Sequence, residues 1–264
     1  MTIRYAVVTA TAMKLFSSRK RVYSEDAYVI ARDGDAMLFA VVDGHGFSAL
    51  NTTVRDFAWQ VAADFSLLGQ GVRTPEAMHA LFAEISHRAD RWLVHRGCTD
   101  GERNVGAVAA CAVATKDTIL YGKLGDCNLA EVGVGLYPFL PDHSAGNPEE
   151  LKRVMAVCND EVCLKYGKLT APIPGSKQRH LLNVFRAFGD IVFRPAVIPT
   201  PDVVLFERRP WPYALVSDGG WSPTIHANYD SKTREVDAIA HQARKAFKRR
   251  LPSDDATIIL FSGF

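Results

Sequence analysis

The spacing of apolar and polar positions along this chain changes period several times, and each change marks an expected element. Residues 3–10 alternate weakly and predict a first strand. Segments 27–32 and 36–42 are rich in β-branched and aromatic side chains and flank Asp33-Gly34-Asp35, a combination that predicts a hairpin. Apolar residues then recur at helical spacing over 51–68 and 75–95, predicting two helices that place Trp59 and Trp92 at apolar, core-facing positions. Strand-like runs follow at 105–115, 118–123 and 129–134. Residues 148–158 read as a short helix, with Asn147 as its cap and Pro148 at its first position. The stretch 159–185 has little periodicity and contains Pro172, Pro174 and Gly175, so a surface flap is expected there. Beyond it, 203–206 and 213–216 predict strands, 234–249 a helix and 256–261 a last strand. Strands and helices thus come in blocks, which favours antiparallel sheets with helices outside over a doubly wound parallel sheet. The expected fold class is an α/β sandwich. No repeat or long linker divides the chain, so one domain over residues 1–264 is expected.

This layout gives the acidic residues a shared address. Asp26 lies eight residues before Gly34 and Asp43 nine after it, so an antiparallel hairpin brings both to its open end, with Glu25 beside them. Asp218 follows the strand at 213–216, and Asp254 and Asp255 precede the strand at 256–261. Those acids share an edge if the two strands pair antiparallel. Asp126 follows the strand at 118–123 in the same manner. Packed carboxylates raise one another's pKa unless something neutralises them. Oxygen ligands of this kind suit Mg²⁺ or Mn²⁺ better than Zn²⁺. Taken singly, each acid also reads as a turn or cap residue.

Composition narrows the partners. The chain has 264 residues, 31 Lys and Arg against 29 Asp and Glu, a balance that argues against nucleic acid or an anionic membrane as the main partner. Five cysteines, an odd number with no Cys-x-x-Cys pair, read as free thiols in a reducing compartment and argue against a zinc knuckle. The longest apolar run, 105–114, is about half of what a membrane helix needs. Near the N-terminus the basic cluster follows the apolar stretch, the reverse of a signal peptide. A cytoplasmic monomer is expected.

Seven short motifs carry a resemblance. Arg21-Val22-Tyr23-Ser24-Glu25-Asp26, Ala40-Val41-Val42-Asp43-Gly44-His45-Gly46, Leu124-Gly125-Asp126-Cys127 and Pro141-Asp142-His143-Ser144 come first. Phe185-Arg186-Ala187-Phe188-Gly189-Asp190, Ser217-Asp218-Gly219-Gly220-Trp221 and Ser253-Asp254-Asp255-Ala256 follow. Their content and order resemble the PP2C family of metal-dependent serine/threonine protein phosphatases over residues 21–260. The resemblance implies a four-layer α-β-β-α sandwich, two antiparallel sheets flanked by helix pairs, with metals at one edge. It implies hydrolysis of phosphoserine and phosphothreonine in proteins by water activated between two Mn²⁺ or Mg²⁺ ions. On that likeness Asp43 would bridge the metals and Gly44 would lend its carbonyl. Glu25 would reach the second metal, Asp218 and Asp254 would hold the first, and Asp26 would belong to the same acidic shell. Asp126, with Asp218, would serve a weaker third metal. Arg21 would grip the phosphate with its planar fork, and His45 would be the general acid.

The chain also departs from the family pattern. Ser222 stands where a second acid is common, which bears on the third metal, and Cys127-Asn128 replaces the common Ser-Arg. Asp255 replaces a common asparagine and reads as a ligand neighbour or a cap. Without a paired base Cys127 does not read as a nucleophile. His143 is expected to stabilise a turn, and Arg186 and Asp190 to hold the flap. The basic run 244–250 reads as a solvated helix face, with Ala240, Ala243 and Phe247 turned inward. His45, set between two glycines after a buried strand, has no evident packing purpose and points to function. Two other functions fit the same residues: a PP2C-fold binding protein with weakened catalysis, and a phosphatase of a small phosphometabolite.

Overall fold

The computed structural model describes residues 3–11, 24–47, 52–98, 104–132, 138–221, 235–249 and 254–263. Its first half comprises β1 (Ile3–Ala10), β2 (Asp26–Asp33), β3 (Ala36–Phe47), α1 (Thr52–Leu68), α2 (Pro75–His95), β4 (Asn104–Ala114), β5 (Thr118–Leu124) and β6 (Asn128–Glu131). Then come α3 (Pro148–Met155), β7 (Cys163–Lys165), β8 (Lys168–Pro172), β9 (Arg179–Leu182), β10 (Phe188–Gly189), β11 (Asp202–Glu207), β12 (Tyr213–Val216), α4 (Val236–Arg249) and β13 (Ala256–Gly263). One sheet runs β11-β5-β4-β3-β2, with β10 also paired to β4; the second runs β1-β13-β12-β6. Every ladder in both is antiparallel.

The central strand shows why these sheets stack. All eleven residues of β4 are buried, and alternate ones serve different cores. Ala107, Ala109, Cys111 and Val113 face a core shared with α1 and α2. Val108, Ala110, Ala112 and Ala114 face a second core against Leu215, Ile259 and Phe261 of the other sheet. A strand buried on both faces reads as a continuous apolar run, and its small side chains let the layers approach closely. A third core lies under α4, where Ile239, Ala240, Ala243 and Phe247 meet Ala214, Ile258 and Leu260. The result is the expected α-β-β-α sandwich, with α4 covering the second sheet among the described residues.

Local chemistry sets the ends of elements. Thr74 caps α2 by accepting from the Ala77 amide at 3.2 Å, with Pro75 following. Asn147 caps α3 by accepting from the Glu149 amide at 3.1 Å, as expected. The segment 159–185 is more regular than its sequence suggests. β7, β8 and β9 form a small antiparallel sheet whose Leu169, Ala171 and Leu182 enter the middle core. Tyr166 and Gly167, at φ 53° and 74°, make the two-residue turn between β7 and β8, the hand that suits strand twist. Trp59 corrects another expectation: it is 47% exposed and lies against the Tyr28 ring. Its place on α1 faces the edge strand β2 rather than the core, whereas Trp92 packs partly buried against the helical core. Arg244, Lys245 and Lys248 are exposed on α4, as read.

Candidate active site

The hairpin β2–β3 sets Asp26 directly opposite Asp43. The Gly44 amide donates to the Glu25 carbonyl at 3.2 Å, holding Glu25 one step further along. A Cβ on Gly44 would come within 2.9 Å of that carbonyl and 3.0 Å of Val54, so glycine lets α1 lie against this strand end. In the other sheet β12 and β13 pair antiparallel up to Val216 and Ile258. Asp218, leaving β12, and Asp254, approaching β13, therefore share an edge. Asp126 sits in the tight turn after β5, where Gly125 has φ 89°. Glu25, Asp43, Gly44, His45, Asp126, Asp218 and Asp254 line one pocket, closed on another side by Leu181, Leu182, Asn183 and Val184. Asn104 lines it too, its Oδ1 buried without a partner among the described residues.

Two predicted acids serve as clamps rather than pocket walls. Asp26 is buried and its Oδ2 accepts from Ser217 Oγ at 2.8 Å, while Oδ1 has no partner among the described residues. Asp255 Oδ2 accepts from the Glu25 amide at 2.7 Å. Each contact ties one sheet to the other beside the pocket. Arg21 and Ser222 lie outside the described residues.

The pocket is crowded with negative charge. Burial, and then the charges of Asp26, Asp218, Asp126 and Asp254, push the Asp43 carboxyl well above the usual range. Burial and Asp218 push Asp126 up to about 6. Burial pushes Asp26 up to about 7, although hydrogen bonds from Ser217 and Thr257 pull it back. Burial and Asp254 raise Asp218 as well, against a hydrogen bond with the Asp43 carboxyl. Among the described residues no lysine or arginine lines the pocket to offset these charges, and no three of the acids close round an ion-sized space. Unneutralised carboxylates in such a cluster shift toward the protonated form. An all-oxygen, carboxylate-rich donor set fits hard divalent cations, which would remove that repulsion.

His45 has a partner that its neighbours in sequence do not reveal. Its Nε2 lies 2.6 Å from Oδ2 of Asp190, which is completely buried. Burial alone would lower the imidazole pKa, but the charge and hydrogen bond of Asp190 raise it. Asp190 was expected to hold the flap. Arg186, expected to do the same, instead joins α3 to β11, donating to Glu150 Oε1 at 2.6 Å and to Asp202 Oδ1 at 2.7 Å. His143 has the turn-stabilising place expected of it: Nδ1 accepts from the Gly125 amide at 2.9 Å, which leaves Nε2–H to donate to Asp202 at 3.0 Å. Burial lowers the His143 pKa, consistent with this neutral tautomer. The fully buried Lys123 adds bonds to Asn128 and Asp142 under the same turn. Cys127 is buried and its thiol pushed well up, first by desolvation, so it is a packing residue.

Several known proteins resemble this chain. The family model for protein phosphatase 2C matches residues 5–216. The probable protein phosphatase 2C 8 of Oryza sativa subsp. japonica is 28% identical over 80% of this chain and 54% of its own. Protein phosphatase 2C 37 of Arabidopsis thaliana is 27% identical over 69% of this chain and 48% of its own. The chain spans about half the length of the curated relatives it matches. In solved structures, the serine/threonine phosphatase Stp1 of Staphylococcus aureus has a TM-score of 0.69 at 14% identity, covering 100% of this chain and 96% of that one. The serine-threonine phosphatase 2C of Toxoplasma gondii has a TM-score of 0.66 at 17% identity, covering 99% and 95%. These likenesses show the same fold, and with the family match they establish that the chain belongs to the protein phosphatase 2C family.

Proposed function

We propose that this chain hydrolyses phosphoserine and phosphothreonine monoesters in proteins, with two Mn²⁺ or Mg²⁺ ions as cofactors and a weaker third. The observation that carries this reading is the convergence of Glu25, Asp43, Asp126, Asp218 and Asp254 on one pocket beside His45. Asp43, the Gly44 carbonyl, Glu25, Asp218 and Asp254 would hold the two ions, and Asp126 with Asp218 the third. Bound divalent ions supply a water of lowered pKa as nucleophile and neutralise phosphoryl oxygens. The chain's residues do the rest. Arg21 binds the phosphate through paired N–H donors. His45 gives its proton to the departing serine or threonine oxygen, which as an alkoxide is a poor leaving group. The pocket wall at Leu181 and Asn183 borders the peptide around the ester. No cysteine takes part.

The test is turnover of a phosphothreonine peptide, an aryl phosphate and a set of small sugar phosphates, each with Mn²⁺, with Mg²⁺ and with EDTA. Metal-dependent turnover with preference for the peptide supports the proposal. Preference for a sugar phosphate would move the substrate to small metabolites. Binding of the phosphopeptide without any turnover would make the chain a binding protein on the same fold.

A further inference from the structure

The geometry points to Asp190 as a positioning residue for His45: its carboxylate fixes the imidazole by holding Nε2 and so directs Nδ1 to the leaving oxygen. This rests on the phosphatase reading above. Three strands make the arrangement. His45 on β3 pairs with Gly106 on β4, and Gly106 pairs with Gly189 on β10, so the three lie in one row across the sheet. Gly106 has no side chain, and the imidazole crosses that gap to reach Asp190. A Cβ at Gly106 would fall inside both Asp190 Oδ2 and His45 Nε2.

The carboxylate is held from its own side too. Asp190 adopts a left-handed backbone, φ 48° and ψ 40°, which Asp and Asn tolerate better than other side chains. Its amide donates to the Val105 carbonyl at 3.0 Å, so the strand that carries Gly106 also fixes the residue beyond it. Asp190 Oδ1 is buried with no partner among the described residues, and the side chain has 0% exposure. A buried carboxylate with one used oxygen, spent on a histidine at the pocket wall, is a costly arrangement for packing alone. With Nε2 engaged, Nδ1 is the ring nitrogen without a partner among the described residues. The carboxylate–imidazole pair thereby sets ring orientation and tautomer, as a buried acid does for histidine in other enzymes.

The experiment compares Asp190→Asn, His45→Gln and the double variant on two esters. Asn keeps the left-handed backbone, so the fold is retained, and a Mn²⁺-induced rise in Tm equal to wild type verifies it. A phosphothreonine peptide needs its leaving oxygen protonated; p-nitrophenyl phosphate scarcely does. Asp190→Asn is expected to lower kcat on the peptide about 10- to 100-fold, below the full worth of a general acid, and on the aryl ester less than about 3-fold. The double variant should be no slower on the peptide than His45→Gln, because the two groups act as a unit. In metal-free protein, the downfield ring N–H resonance of His45 should vanish or move upfield in Asp190→Asn. Equal losses on both esters, additive losses in the double variant, or an unmoved resonance would overturn the positioning role while leaving the phosphatase reading intact. Wild-type protein inert toward both esters would overturn that reading, and the role with it.

Discussion

Asp26 and Asp43 stand opposite each other at the open end of one hairpin, yet only Asp43 lines the acidic pocket. Asp26 is bound instead to Ser217 Oγ of the facing sheet. One ladder thus supplies a carboxylate to the proposed cation site and another to a clamp between the sheets.

That division has a thermal signature. At about 100 times its Kd, a ligand of the native state adds about 2.7 kcal/mol, worth about 5–10 °C of Tm in a domain of this size. Mn²⁺ should raise the wild-type Tm by that order, Asp43→Asn should lose most of the rise, and Asp26→Asn should keep most of it. Differential scanning fluorimetry with EDTA and with Mn²⁺ measures both; an equal loss in the two variants would place Asp26 among the ligands.

The second clamp makes a substitution-specific prediction. Asp255→Ala leaves the buried Glu25 amide without its 2.7 Å acceptor, at a cost of about 1–3 kcal/mol, and displaces Glu25 from the pocket. Asp255→Asn keeps an acceptor oxygen and should fold and turn over close to wild type. Chemical denaturation and kcat of the two variants decide the point, and similar behaviour of both would contradict it.

Asp202 links stability to pH. A hydrogen bond from His143, with the charge of Arg186 adding to it, lowers its pKa to about 2 from 3.8. A carboxyl with a depressed folded pKa contributes stability that is whole above the unfolded value and lost as pH falls through the folded one. Asp202 is about one-third exposed, so solvent screening reduces the contribution to about 1 kcal/mol. Asp202→Asn should therefore be about 1 kcal/mol less stable than wild type at pH 7, with the gap closing between about pH 4 and 2. A gap constant across that range would rule out this linkage.

Much of the site could be read in the sequence because turn chemistry fixes register. Asp33-Gly34 placed the hairpin turn, and counting outward from it brought Asp26 and Asp43 together. The same reasoning worked for Asp218 and Asp254, which flank strands that do pair antiparallel. It failed where contacts depend on rows across several strands. The His45–Asp190 pair spans 145 residues and needs β10, a strand of two residues, too short for any period. The segment 159–185 hid its sheet for the same reason, with strands of three to five residues. Trp59 sits on an apolar stripe, but nothing in that stripe told that its outer edge faces an edge strand.

On the proposed reading, the converged carboxylates make this chain a metal-dependent phosphatase. Hydrolysis of a phosphothreonine peptide by wild type and Asp43→Asn, with Mn²⁺ and with EDTA, tests it most directly. Wild type with Mn²⁺ is expected to show turnover that EDTA abolishes and that Asp43→Asn lowers at least about 100-fold, the loss of several kcal/mol of transition-state stabilisation. Turnover that persists in EDTA, or that Asp43→Asn leaves unchanged, would contradict it.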